Sequence, residues 1–157
     1  MVENKKNYQK IVDELVRKSF PELKKNKIFI SEASKWVSKY FSAAVTYVFL
    51  FSILKISKKM RDYSEEIIES VLAHELGHIV GFKSYGFFGY TWRGFRYLTF
   101  RGARTIEENV ADKIAIDRGY AKGLYEFKNK YGHPEKYKEC YMSAKEVKEY
   151  AKSVKKW

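Results

Sequence analysis

The chain has 157 residues, 45% of them hydrophobic and 17% aromatic, with two prolines and nine glycines. That fits one domain with a sizeable core and excludes disorder, collagen and linker arrays. Thirty-one basic residues against 19 acidic ones give a formal charge of +12, which suits either an anionic partner (nucleic acid or an acidic membrane surface) or a lysine-covered solvated surface of hyperthermophile type. With 24 lysines and one glutamine, the solvated surface is the better reading, because charge alone says little about specific function.

No repeat or low-complexity linker interrupts the chain, so residues 1–157 are read as one domain. Residues 7–20 place Tyr8, Ile11, Val12, Leu15 and Val16 at helical spacing, and Pro21 ends that helix. Residues 27–31 form a short β-rich run. Residues 35–57 are mostly β-branched or aromatic, and two strands are expected there. Their uncharged stretch, residues 40–54, is 15 residues long, short of the roughly 18–20 that a membrane-spanning helix needs. Buried strands are therefore expected, with no transmembrane segment. Asp62, Ser64, Glu65 and Glu66 announce a helix that continues to about Gly81.

Residues 82–103 hold nine aromatics, four glycines and no acid, and Arg93-Gly94 is a candidate hairpin turn between two strands. Thr105 is expected to open a further helix, closed by Gly119. A polar helix to Lys130 breaks at Gly132-His133-Pro134. Ser143 and Glu146 then form a capping box for a last, lysine-rich helix. The single cysteine, Cys140, excludes an internal disulfide framework and fits a reducing cytosol. The polar start MVENKKNYQK has no signal-peptide core. A cytoplasmic location is the expectation.

His74-Glu75-Leu76-Gly77-His78 is an HExxH motif inside a predicted helix. Histidines at i and i+4 project from one face on successive turns, the geometry by which two imidazoles hold one zinc ion. Glu75 is placed to take a proton from a zinc-bound water as that water attacks a carbonyl. The plainer reading, two ordinary histidines and a solvated glutamate, is hard to hold. Only three histidines exist, and the flanks Val71, Leu72, Ala73, Ile79 and Val80 would bury the cluster.

A third ligand is still needed. Ser84 stands where HExxHxxGxxH would place a histidine, so the metzincin pattern is excluded. Downstream, Glu108-Asn-Val-Ala-Asp112 offers a carboxylate ligand, with an aspartate one turn on to orient a ligand histidine. Two other readings stand beside it. Thr105 and Glu108 also match a capping box, which would leave Glu108 only reaching back to the cap. Glu107 is a rival ligand, but its i+4 neighbour is Ala111, which can orient nothing.

HExxH followed thirty residues later by ExxAD resembles the gluzincins, and within them the minigluzincins, with the same pattern in the CAAX-prenyl-protease family. The phage-repressor-cleaving metallopeptidases have similar spacing. The resemblance implies an α+β, zincin-like single domain: a backing helix, a small twisted sheet, the HExxH helix, a glutamate helix and a C-terminal helical tail. It implies a zinc-dependent endopeptidase acting on peptides or proteins, with His74, His78 and Glu108 as ligands, Glu75 as general base and acid, and Asp112 behind a ligand histidine. The membrane relatives need several spanning helices, which this chain lacks.

The basic aromatic stretch 82–103 could line the cleft, hold single-stranded nucleic acid through Arg93, Arg96 and Arg101, or rest on a membrane surface. Core filling and a cleft wall are preferred. The alternative function is a basic nucleic-acid-binding or adaptor protein with a structural zinc. An oxyanion donor is expected from His133, the only spare histidine, or from one of 13 tyrosines. The minigluzincin resemblance also implies latency, in which residues 131–157 act as a regulatory tail. Cys140 is then a possible inhibitory ligand, or more simply a small buried hydrophobe.

Overall fold

The computed structural model describes residues 7–48, 51–83, 92, 95–97, 99–133 and 135–157. Helix α1 (Tyr8–Ser19) is capped by the Asn7 side chain and packs Val12 and Leu15 inward. A three-stranded sheet follows, of β1 (Lys27–Glu32), β2 (Ala43–Val48) and β3 (Phe51–Ile56). Its order is β1-β3-β2, with β1 parallel and β2 antiparallel to β3, so β2 is an edge. β3 alternates strictly, burying Ser52, Leu54 and Ile56 and turning Phe51, Ile53 and Lys55 the other way, as a one-sided sheet requires.

The two strands expected in residues 35–57 are β2 and β3, but the start of that stretch is a helix. Lys35–Tyr40 forms α2, with Ser34 capping the Val37 N–H at 3.3 Å. The β-leaning Trp36, Val37 and Tyr40 are overruled by this cap and by the absence of any buried position in the segment, because strand propensity is mostly a packing effect.

The longest helix, α3 (Glu65–Lys83), runs two residues past Gly81 and is buried on most of its circumference. Against it pack α4 (Arg101–Asp117), α5 (Ala121–Lys130) and, beyond these, α6 (Ala144–Ser153). Gly119 closes α4 with a φ of 97°, and the Ser143–Glu146 capping box opens α6. α4 starts four residues before Thr105, whose hydroxyl donates to the Arg101 carbonyl within the helix, so no cap forms there. The expected hairpin does not form in the described part of its second arm: residues 95–97 and 99 are helical, and Arg93-Gly94 lies outside the described residues. The core joins Leu15, Phe20, Leu54, Met60, Ile68, Leu72, Leu76, Ile116, Leu124 and Val147. Among the described residues no helix is long and apolar enough to cross a membrane.

Candidate metal centre

The two motifs come together where α3 meets α4. The approach is close because Gly77 has no side chain: a Cβ there would lie 2.9 Å from the Ala111 carbonyl oxygen. The two small residues are the inner letters of the two motifs, so each motif carries its own means of meeting the other. Gly123 does the same for α5, where a Cβ would reach 2.3 Å from the Glu66 carbonyl of α3.

This packing brings His74, His78 and Glu108 together. Their potential ligand atoms lie within 4.8 Å of one another, and no other such group occurs among the described residues. The Nε2 atoms of His74 and His78 lie 3.2 and 3.1 Å from the same oxygen, Oε2 of Glu108. The Nδ1–H of His74 donates to Asp112 Oδ1 at 2.9 Å, since an ionised carboxylate can only accept. In a neutral ring that bond leaves Nε2 with its lone pair, as a metal ligand needs. Two imidazoles and a carboxylate suit zinc, with a fourth position for water or substrate.

The electrostatics favour a cation at this point. Burial works against the charge of Glu108, yet His78 and His74 outweigh it and hold the carboxyl well below its usual range. Burial likewise disfavours charge on His74, but Asp112 and Glu108 raise it to about 10. Glu75, 7% exposed, is raised by burial despite His74 and His78 nearby, and the Val45 main-chain N–H of β2 faces its carboxylate.

Glu108, not Glu107, joins the histidines, and it is not engaged in a cap. Cys140 is buried away from this group, and His133 stacks on Tyr141 with ring centroids 3.6 Å apart. Of the three arginines of the aromatic stretch, Arg93 lies outside the described residues and Arg101 pairs with Glu139 at 2.6 Å.

Three neighbours escaped the sequence. Lys128 of α5, almost fully buried, donates to Asp112 Oδ2 at 2.8 Å. The Tyr97 hydroxyl donates to Glu108 Oε1. Tyr141 lies against His74, with ring centroids 6.2 Å apart. Burial and the nearby Glu108 carboxylate push both phenols well above their usual range, so they stay protonated donors. No local pattern marks any of them: Lys128 is one lysine among 24, and the tyrosines are two among 13.

Residues 46–92 match a family described as dual-action HEIGH metallo-peptidases. The matched stretch includes His74, Glu75 and His78 and stops before Glu108 and Asp112. No curated protein and no solved structure matches the chain. The match and the buried His74–His78–Glu108 group together support a metallopeptidase of zincin type, with an α+β zincin-like fold, a metal held at this centre and peptide or protein substrates.

Proposed function

We propose that the chain is a zinc-dependent endopeptidase of gluzincin type, with one zinc ion held by His74, His78 and Glu108. The observation that carries this reading is the convergence of both Nε2 atoms on one Glu108 oxygen, with Glu75 adjacent on the same helix. Bound there, zinc supplies Lewis acidity, which polarises a peptide carbonyl and acidifies water. Glu75 takes the proton of the attacking water and delivers it to the leaving amine. Its raised pKa suits a group that must hold that proton between the two steps.

Asp112 fixes the ring of His74, and Lys128 balances Asp112 from the other side. Tyr97 holds Glu108 by Oε1 and leaves Oε2 for the ion. The Tyr141 hydroxyl is the donor for the developing oxyanion. His133 backs the Tyr141 ring and does not act as the donor itself. The substrate lies extended along the edge strand β2, where main-chain hydrogen bonds provide affinity. Replacing Glu75 by Gln should leave about one zinc per chain while lowering peptide hydrolysis by about a hundred- to ten-thousand-fold. Undiminished hydrolysis by that variant would remove the mechanism.

One observation favours a second reading of the C-terminal segment. Tyr141 and His133 lie over a centre whose catalytic groups are each less than a tenth exposed, so residues 131–157 could restrict access and keep the enzyme latent. Tyr141→Phe separates the two roles by sign. As oxyanion donor its loss lowers kcat by about a hundredfold, and zinc content is unchanged. As part of a plug its loss raises activity, as would limited proteolysis of the segment.

A further inference from the structure

Tyr97, which holds Glu108, is itself held twice by α4. Its hydroxyl donates to Glu108 Oε1, and the guanidinium of Arg104 lies over its ring, 5.0 Å from the centroid. Arg104 and Glu108 are four residues apart on α4 and therefore share a face. A tyrosine fixed only by its hydroxyl can still swing about its side-chain bonds. One fixed at both ring and hydroxyl by a single helix face has far less room. The point where the hydroxyl meets Oε1 is thus set by Arg104 as well as by Glu108.

Arg104 also meets a second ring. Its guanidinium lies over Tyr137, 5.1 Å from the centroid, in the segment Glu135–Cys140. Tyr137 in turn packs on Phe41 at the end of α2, with centroids 5.5 Å apart. A planar, weakly hydrated guanidinium suits such contacts, whereas an ammonium is a compact and strongly hydrated point charge. Nε of Arg104 is buried and has no hydrogen-bond partner among the described residues. Arg101, three residues earlier, has the carboxylate of Glu139. Arg104 is drawn in although one donor stays unpaired, and a buried unpaired donor calls for a reason.

We propose that Arg104 is a positioning residue for the metal centre: through Tyr97 it fixes the Glu108 carboxylate with Oε2 toward the two imidazoles, and through Tyr137 it ties that carboxylate to the segment 135–140. The proposal rests on the reading of His74, His78 and Glu108 as a zinc site. Loss of Arg104 leaves all three ligands present but lets the carboxylate rotate, so the metal is held less tightly and less regularly. Tyr137 acts on Glu108 only by way of Arg104 and Tyr97. The three side chains therefore behave as one unit rather than as three separate contributions.

The test reads metal binding by the full chain and needs no turnover. Zinc affinity is measured against a competing chelator, and the visible absorption of the cobalt(II)-loaded chain reports the symmetry of the ligand set. Arg104→Met should weaken zinc binding by about three- to thirtyfold, the span of a cation–π contact, and should alter the cobalt bands. Arg104→Lys, which keeps a charge over the rings, should restore part of both, and it carries the same comparisons should Arg104→Met not fold. Tyr97→Phe keeps the ring and removes the hydroxyl, so adding Arg104→Met to it should cost no further affinity. Tyr137→Leu should weaken zinc binding when Arg104 is present and have no effect when it is absent. Unchanged affinity and cobalt spectrum in the Arg104 variants, or losses from Arg104→Met and Tyr97→Phe that simply add, would overturn the proposal. Additive losses in a chain that binds zinc and hydrolyses peptides would remove this role alone. Coupled losses in a chain that hydrolyses no peptide would leave it standing and sink the peptidase. A chain that binds no zinc would overturn the zinc site and this role together.

Discussion

The centre has two unlike walls. One is the α3–α4 seam, where His74 with His78 and Glu108 with Asp112 are each four residues apart, and Gly77 meets Ala111. The other is assembled from Lys128 on α5, His133 beyond its end and Tyr141 just before α6. In the seam, helix periodicity places every group and a bare backbone sets the distance. On the far wall each group comes from a different place and depends on tertiary packing for its position. On the proposed function, the seam would supply the reaction, and the far wall would steady it and decide what reaches it.

Lys128 is where the far wall touches the seam, so its removal should break the comparison most. Lys128→Met leaves the Asp112 carboxylate buried with only His74, and breaking such a pair costs about 3–5 kcal/mol of stability. Zinc affinity, measured against a competing chelator, should also fall by about ten- to a hundredfold. Lys128→Arg should restore part of both, since it keeps the charge. A variant that binds zinc as tightly as the parent would show that Asp112 needs no counter-charge.

Gly77→Ala tests the seam itself. Helix propensity alone would make it stabilising by about 1 kcal/mol. The clash with a main-chain oxygen should reverse the sign, for a net loss of about 1–2 kcal/mol by urea denaturation, together with weaker zinc binding. A stabilised variant would mean that the seam has slack.

The smallest effect sharpens the far wall. His133 faces Lys128 from α5, Asp112 and Glu108 from α4, and His74 from α3, and its folded pKa of about 3 lies below the ordinary 6.5. Below pH 6.5 the unfolded chain takes up a proton that the folded chain refuses. The contribution of His133 is thus complete above pH 6.5 and lost as pH falls towards 3. His133→Phe should flatten that part of the stability profile, and unchanged urea midpoints between pH 6.5 and 4 in the variant relative to the parent would contradict the neutral, buried ring.

What the sequence disclosed follows the same division. HExxH and ExxAD were legible because metal ligation imposes residue type and spacing together. Gly119 and the Ser143–Glu146 box were legible because helix ends impose local chemistry. Lys35–Tyr40 reads as a strand because β-branched and aromatic residues signal packing, yet no residue of this segment is fully buried. Thr105 resembled a cap because cap residues are also tolerated within helices, where the hydroxyl can bond the preceding turn, as it does here. Lys128, Tyr97 and Tyr141 carried no signal, since Asp112 lies 16 residues from Lys128, Glu108 eleven from Tyr97, and His74 far back along the chain from Tyr141.

The position of β2 at the end of the sheet has a further consequence. A six-residue strand with no second partner strand among the described residues can be extended only by a segment that is itself extended. A helix cannot lie there, and neither can a strand whose hydrogen bonds are already made. Were a peptide to add to β2 as proposed, beside Val45 and the Glu75 that it faces, its conformation would be inspected at the place where it would be cut. Folded proteins would be spared whatever their sequence, and unfolded or unstructured segments would be the molecules at risk. Conformational state would act as the first filter, ahead of any preference for a particular side chain.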